Sequence, residues 1–169
     1  MITDWRKRFM QKVVAPEVLP RKVEELRQAG KSIATINGTF DLMHAGHLHI
    51  LCEAKKQGSA LIVGLNTDAS IKVLKGENKP FIPLESRLQM IAALEFVDYV
   101  TWFHETDPIA FIRAAKPDVH VNGAEYGQQC IEAAAVKEGG GRIHLVERIP
   151  GLSTTEIVAK IRGSGSCVS

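Results

Sequence analysis

Five short apolar segments recur along the chain, and their spacing restricts the fold more than any other feature. Each is rich in Val, Ile and Leu and has the length of a buried strand. The segment 60–65 is an almost unbroken apolar run, which is typical of parallel sheets covered on both faces. The five predicted strands are 32–36, 60–65, 99–102, 119–121 and 142–146.

Helical segments separate these strands. Apolar residues recur in them at spacings of three and four, and glycine or proline stands near their ends. The predicted helices are 20–30, 47–56, 84–94, 108–115, 129–138 and 155–161. Strands that alternate with helices form parallel sheets through right-handed crossovers. The sequence therefore predicts an α/β fold, a single-domain Rossmann-like open parallel sheet of about five strands with helices on both faces.

Length and composition agree with one folded domain. The chain has 169 residues, of which 45% are hydrophobic and 24% charged, and this balance argues against intrinsic disorder. We expect the domain to span residues 19–162. Residues 1–18 are predicted to form an N-terminal arm or an extra helix, and residues 163–169 a flexible tail.

Charge and cysteine usage exclude several functional classes. The net charge of +2 is too small for a general polyanion binder, so we expect no nucleic acid partner. No window approaches ~18 consecutive apolar residues and no apolar run follows the basic N-terminus, so we expect no membrane partner, no signal peptide and a cytoplasmic location. The cysteines Cys52, Cys130 and Cys167 form no CxxC pair and indicate neither a disulfide framework nor a thiolate zinc site.

The residues after the first strand carry most of the chemistry. The chain there reads Asn37-Gly38-Thr39-Phe40-Asp41-Leu42-Met43-His44-Ala45-Gly46-His47. Gly38 has no Cβ, so backbone amides around it can approach a ligand closely. His44 and His47 lie where a helix begins, and the positive end of a helix favours an anion. Two imidazoles at that place can clamp a phosphate and bind it more strongly as charge develops in a transition state.

Other interpretations of the histidines remain open at this point. His44, His47 and His49 have an H-x-x-H-x-H spacing that zinc permits, although no Cys or carboxylate with matching spacing completes such a site. The histidines could also be structural. The chain has no Walker A lysine motif and no GxGxxG, so a P-loop and a dinucleotide site are excluded.

The His44-Ala45-Gly46-His47 element, preceded by Gly-Thr-Phe-Asp, resembles the HxGH signature of the nucleotidyltransferase superfamily typified by cytidylyltransferases. The resemblance extends from about Lys31 to Ile161. Further matching segments are Asn66-Thr67-Asp68, the lysines Lys72, Lys75 and Lys79, Glu85-Ser86-Arg87, and Arg148-Ile149-Pro150-Gly151-Leu152-Ser153-Thr154-Thr155, which looks like the RTEGIST element of cytidylyltransferases.

The resemblance implies roles for individual residues. His44, His47, Lys75 and Arg87 would be catalytic and would contact the phosphates. The residues implied in nucleotide binding are Asn37, Gly38, Thr39, Phe40, Asp41, Gly46, Asn66, Asp68, Gly123, Glu125, Ser153, Thr154 and Thr155. No protein metal site is expected, because Mg²⁺ would be bound mainly through nucleotide phosphates and water. The family also implies a homodimer.

Some of these residues have a second interpretation. Asp41 could be a structural hydrogen-bond acceptor, and Ser153 or Thr154 a plain helix N-cap. The lysines between Ser70 and Pro83 could form a solvated basic loop; alternatively, we expect a mobile lid that orders over a bound triphosphate. Two positions depart from the family pattern: Asn122 stands where relatives that act on heptose often have Lys, and Glu125 takes an acidic place one methylene longer than the usual Asp.

Within the superfamily the chain resembles in particular the adenylyltransferase domain of the bifunctional ADP-heptose synthases. The implied reaction joins ATP and D-glycero-D-manno-heptose 1-phosphate to give ADP-heptose, a lipopolysaccharide core precursor, and pyrophosphate. Thr39 and Arg148 favour an alternative, a CTP-dependent glycerol-3-phosphate cytidylyltransferase. A non-catalytic nucleotide-binding module is a further alternative of another class. The residues alone determine neither the acceptor, nor the base, nor the oligomeric state.

Overall fold

A five-stranded parallel sheet with the order β3-β2-β1-β4-β5 forms the centre of the computed structural model, which describes residues 4–151 and 153–163. The strands are β1 (Ile33–Gly38), β2 (Ala60–Asn66), β3 (Tyr99–Phe103), β4 (Val119–Gly123) and β5 (Arg142–Val146). All five pair in parallel. The predicted α/β fold is therefore confirmed, with most strands one or two residues longer than expected.

Helices cover both faces of the sheet. They are α1 (Trp5–Met10), α2 (Leu19–Gln28), α3 (Ala45–Lys55), α4 (Asp68–Lys75), α5 (Leu84–Ala92), α6 (Ile109–Ala115), α7 (Ala133–Glu138) and α8 (Thr154–Gly163). One apolar layer packs α3 and α5 against the sheet through residues such as Leu51 and Ile91. The other packs α2, α6 and α7 against the opposite face through residues such as Leu19, Phe111 and Val136.

Helix α4 was missed by the sequence prediction. We expected a polar lysine-bearing stretch over residues 72–83, but residues 68–75 are helical. The Thr67 side chain caps this helix by accepting from the Ser70 N–H, and Ile71 is buried beneath it. Gly76, with a φ of 94°, ends the helix in a conformation that favours glycine. In the opposite sense, the predicted helix 129–138 begins only at Ala133.

The N-terminal segment forms an extra helix and then covers a sheet edge. Helix α1 packs against α5, and its Phe9 reaches the first apolar layer. The Val14 N–H donates to the Val100 carbonyl at 2.8 Å, and the Val100 N–H donates to the Lys12 carbonyl at 2.9 Å. These bonds satisfy part of the free edge of β3, which would otherwise offer unpaired groups to another chain. The predicted tail beyond Gly163 lies outside the described residues.

Strand register places the functional segments side by side. Ile36 of β1 pairs with Val121 of β4, and Gly38 pairs with Leu65 of β2. The carboxyl ends of these three strands therefore meet at one edge of the sheet, where open α/β folds bind ligands. In the described ranges, no helix combines the length and the apolarity needed to cross a bilayer.

Buried His120 is expected to make the protein acid-sensitive. Its Nδ1 lies 2.8 Å from Thr35 Oγ1, and burial lowers the pKa of His120 to about 4, against ~6.5 in an unfolded chain. Between these values only the unfolded state binds this proton, so stability falls as the pH falls through the window. In denaturant titrations across pH 4–7, the double variant Thr35→Val/His120→Leu should take up about one proton fewer on unfolding than the unchanged protein does. If the unfolding free energy of the variant depends on pH as steeply as that of the unchanged protein, this assignment is contradicted.

Candidate active site

A cavity of about 640 Å³ opens at the carboxyl edge of the sheet. Its walls come from the ends of β1, β2 and β4, the N-terminal turn of α3, the end of α4 and the start of α8. The structure brings most of the predicted site residues to this cavity. They are Asn37, Gly38, Thr39, Phe40, His44, Gly46, His47, Asn66, Lys75, Gly123, Glu125, Ser153, Thr154 and Thr155.

His44 and His47 form a close pair at the start of α3. Their ring centroids are 3.9 Å apart with an interplanar angle of 32°. The His44 N–H donates to His47 Nδ1 at 3.3 Å. Because Nδ1 accepts this bond, the proton of a neutral His47 is on Nε2, which is then a hydrogen-bond donor. The pair therefore combines a helix N-terminus with imidazole donors in one cavity.

Both imidazoles are held in the neutral form. Burial, followed by the charges of His44, Lys75 and Arg148, lowers the pKa of His47 to about 4. Burial and then Arg148 lower the pKa of His44, while Glu156 opposes them. His44 Nδ1 is buried and has no hydrogen-bond partner. A site with a neutral imidazole donor at a helix N-terminus and with cations nearby is suited to an anion.

Phe40 packs beside the His47 ring. It adopts a φ of 45°, in the left-handed region that non-glycine residues rarely occupy. Its ring is 3% exposed and lies 5.4 Å from the His47 ring, centroid to centroid. A Cβ at Gly38 would lie 3.1 Å from the same ring, so glycine leaves room for it. This backbone strain lies directly beside the proposed chemistry, as is common at functional sites.

Lys75 lies at the cavity and Lys79 does not. Lys75 Nζ donates to Thr39 Oγ1 at 3.2 Å, and partial burial followed by the Lys79 charge lowers the pKa of Lys75. The Lys79 ammonium lies 3.8 Å from the Asp41 carboxylate and 3.5 Å from the centroid of the Phe81 ring. Lys75 therefore comes from the last turn of α4 and not from a loop, which corrects the predicted position.

Arg87 lies behind the cavity wall, and its predicted contact with phosphates stays a prediction. Its side chain is fully buried and is not among the residues that line the cavity. Its guanidinium donates to the carbonyl oxygens of Ile82, Thr39 and Asn66 at 2.9, 2.7 and 2.9 Å. It also pairs with Asp68 at 2.6 Å. Arg87 thus joins three segments of the site, and these bonds favour a positioning role.

Asp41 and Asp68, which were both predicted to bind nucleotide, are bonded to other groups of the protein. Asp41 is 7% exposed, and its carboxylate accepts from the backbone N–H groups of Phe81 and Ile82 at 3.0 and 2.8 Å. Asp68 is occupied by Arg87. Neither lines the cavity. The two backbone bonds favour the structural interpretation of Asp41, and nucleotide binding by either aspartate stays a prediction.

Polar groups of the segment 148–155 line the same cavity as Lys75. Arg148 Nε is 2.6 Å from Glu125 Oε1 at the cavity mouth. Ser153 Oγ accepts from the Glu156 N–H at 3.2 Å and donates to the Glu156 carboxylate at 2.9 Å, so Ser153 serves as the helix cap. Thr154 and Thr155 remain beside it on the cavity wall.

The sequence prediction missed part of the cavity floor. Glu132 is 7% exposed and lines the cavity beside Asn122, at the end of β4. Ile131 and Ile149 add apolar surface to the same wall. No spacing signal marked Glu132, because it lies in an irregular segment before α7. Among the described residues, no group of three His, Cys, Asp or Glu side chains could hold a metal ion.

Lys75→Ala is expected to weaken ATP binding and to lower kcat, because the Lys75 ammonium would make charge-assisted bonds to the triphosphate. Lys79→Ala should have a smaller effect on both quantities, and Lys72→Ala, which removes a surface ion pair with Glu77, serves as the matched control.

Hydrogen exchange of residues 72–80 should slow when ATP and Mg²⁺ are added, since the segment is expected to act as a lid. Equal protection in both states would contradict the lid.

The sequence is similar to known proteins along nearly its whole length. The cytidylyltransferase-like family profile matches residues 35–161. Bifunctional protein HldE of Campylobacter fetus subsp. fetus is 41% identical over 156 residues, which cover 92% of this chain and 32% of that protein. Bifunctional protein HldE of Methylobacillus flagellatus is 42% identical over 151 residues, which cover 89% of this chain and 31% of that protein. The chain spans about a third of the length of these relatives.

Solved structures agree with this result. A crystal structure of the lipopolysaccharide core biosynthesis protein from Thermoplasma volcanium GSS1 matches with a TM-score of 0.57 and 30% identity over 71% of this chain and 98% of that chain. Pantoate-beta-alanine ligase from Francisella tularensis shares the fold alone, with a TM-score of 0.60 and 15% identity over 89% and 76%. The resemblance inferred from the HxGH segment is confirmed: the chain belongs to the cytidylyltransferase-like family of nucleotidyltransferases.

Proposed function

We propose that this chain transfers AMP from ATP to a sugar 1-phosphate, D-glycero-D-manno-heptose 1-phosphate, and releases pyrophosphate. The observation that carries the proposal is the close, tilted His44–His47 ring pair at the start of α3, in a cavity that also holds Lys75. Neutral imidazole donors, a helix N-terminus and an ammonium group together suit a triphosphate whose α-phosphorus lies beside the histidines.

The reaction follows from this arrangement. An oxygen of the acceptor phosphate attacks the α-phosphorus of ATP in line, the bond to the bridging oxygen breaks, and pyrophosphate leaves. A phosphate oxygen is already a competent nucleophile near neutral pH, so no general base or covalent enzyme intermediate is needed. His44 and His47 would donate to the α-phosphate oxygens, where negative charge develops. Lys75, held beside Thr39, would bind the departing phosphates. Catalysis is then positioning and charge stabilisation.

Mg²⁺ would belong to the nucleotide in this account. It supplies charge neutralisation on the phosphate oxygens and prefers to keep several waters. The carboxylates nearest the lysine segment, Asp41 and Asp68, are already engaged with backbone amides and with Arg87. The donor set of the cavity therefore fits a cation that arrives bound to ATP.

The heptose acceptor rests on similarity. It is supported by the HldE relatives, by the solved protein named for lipopolysaccharide core biosynthesis, and by the sequence resemblance to ADP-heptose synthases. The homodimer implied by the family stays a prediction, which sedimentation analysis of the purified chain can test.

A pyrophosphate-release screen tests the proposal. ATP and CTP are each combined with Mg²⁺ and heptose 1-phosphate, glycerol 3-phosphate or other sugar phosphates. We expect release only with ATP and heptose 1-phosphate. Release with CTP and glycerol 3-phosphate would favour the cytidylyltransferase alternative, and ATP binding without release from any acceptor would favour a non-catalytic binding module.

A further inference from the structure

The floor of the cavity carries a buried carboxylate that the phosphate chemistry does not use. Glu132 is 7% exposed and lines the cavity. Its hydrogen-bond partner is neutral: Asn122 Nδ2 donates to Glu132 Oε2 at 3.3 Å. Glu132 forms no ion pair with the Lys, Arg or His side chains that the structure describes. A buried carboxylate of this kind is costly unless further donors reach it.

A buried acceptor without a partner lies on β1. Asn37 Oδ1 is buried without a hydrogen-bond partner, and Asn37 lines the same cavity. Ile36 of β1 pairs with Val121 of β4, and the residue after each of them is an asparagine, Asn37 on β1 and Asn122 on β4. Two residues earlier, Thr35 and His120 bond across the same two strands. Because side chains alternate along a strand, Asn37 and Asn122 lie on that same side of the sheet, on strands ~4.8 Å apart.

The chemistry of this floor selects its ligand. Both groups accept hydrogen bonds, and Asn122, the partner of Glu132, lies on the strand next to Asn37, so a ligand with two neighbouring donors suits them. A carboxylate oxygen and an amide oxygen have no donor for a phosphate, so a phosphate is a poor ligand there. An exocyclic amine offers its hydrogens from one nitrogen only, whereas a vicinal diol offers two hydroxyl donors on adjacent carbons. Carboxylates commonly bind sugar hydroxyls in this way in nucleotide-binding α/β folds.

We propose that Glu132 and Asn37 form a subsite for a vicinal diol of the substrate, with Asn122 as the positioning residue for the Glu132 carboxylate. This inference rests on the proposed function, because both substrates of that reaction carry such a diol: the ribose of ATP and the ring of the acceptor sugar. Each hydroxyl donates one hydrogen bond, the first to Glu132 and the second to Asn37 Oδ1.

Calorimetry on the full chain separates the two sources. The first comparison is ATP against 2′,3′-dideoxy-ATP. The second is heptose 1-phosphate against cyclohexyl phosphate, with a non-hydrolysable ATP analogue bound. Glu132→Gln keeps the size of the side chain, and Glu138→Gln is the matched control at the other end of α7, where the carboxylate pairs with Arg113 on the surface. Asn37→Ala is the second test variant.

In one of the two comparisons, we expect Glu132→Gln and Asn37→Ala to weaken binding of the diol ligand at least tenfold. Binding of its deoxygenated counterpart should not change. This is the scale of a lost hydrogen bond to a charged group, ~1.5–3 kcal/mol. An effect on ATP alone assigns the diol to the ribose, and an effect on heptose 1-phosphate alone assigns it to the acceptor. Equal effects on all ligands, or none, would overturn the subsite. If the unchanged chain binds the diol ligand more tightly than its deoxygenated counterpart but releases no pyrophosphate, the proposed function is overturned and the subsite is not.

Discussion

Replacing His44 or His47 with alanine is expected to lower kcat by ~10²–10³, with a smaller effect on the KM for ATP. This is the scale of losing one preorganised donor that acts in the transition state. The rings lie 3.9 Å apart at the start of α3 and both are kept neutral by burial and nearby cations. They are therefore ready to donate to an oxygen that gains charge.

Stability should change little in these variants, because the histidine side chains face the cavity and contribute little to the apolar layers. His104→Ala is the matched control, since His104 is exposed and does not line the cavity. Steady-state kinetics and thermal unfolding measure the two effects separately. Variants that unfold readily while their folded fraction keeps full activity would show that the histidines are structural.

Replacing Arg87 with alanine is expected to cost ~3–5 kcal/mol of unfolding free energy, the scale of removing one partner of a buried ion pair. The substitution leaves the carbonyl oxygens of Thr39, Asn66 and Ile82 without their donor and Asp68 without its cation. Activity should fall as well, because Thr39 and the segment bound to Asp41 lose their support.

Arg87→Lys distinguishes positioning from direct catalysis. Lysine keeps the positive charge but cannot reproduce the planar fork that reaches several carbonyl groups. If Arg87 acts by positioning, the lysine variant should lose nearly as much stability as the alanine variant. Arg113→Ala, which removes a surface ion pair with Glu138, should change the unfolding free energy by less than ~0.5 kcal/mol. Full stability of Arg87→Lys with reduced ATP affinity would restore the phosphate contact predicted from sequence.

The sequence was sufficient for the sheet because its strands are marked by local patterns. Segments such as Ala60–Asn66 are buried along their whole length, so their apolar runs are easy to recognise. Helix α4 lacked such a pattern: Val73 and Leu74 are 76% and 50% exposed, and the capping by Thr67 involves a residue outside the polar stretch. The β3 edge contact of Lys12 and Val14 is non-local, and no local pattern predicts it.

The sequence predicted which residues line the site better than it predicted how their side chains are oriented. The HxGH segment and its neighbours indicated which residues gather at the carboxyl edge. The direction of a side chain depends on tertiary contacts, however, and Arg87 and Asp41 are both turned into the structure by bonds to backbone groups. Glu132 was missed for the same reason, because its role arises only when the segment before α7 packs against the end of β4.

Phosphorus NMR of the purified chain with ATP, Mg²⁺ and D-glycero-D-manno-heptose 1-phosphate tests the central claim most directly. The account predicts that ATP and the sugar phosphate disappear together, while a diphosphate ester and pyrophosphate appear in equal amounts. It also predicts that His44→Ala slows both products alike. Appearance of ADP and inorganic phosphate without the diphosphate ester, or no change in any signal, would contradict nucleotidyl transfer by this site.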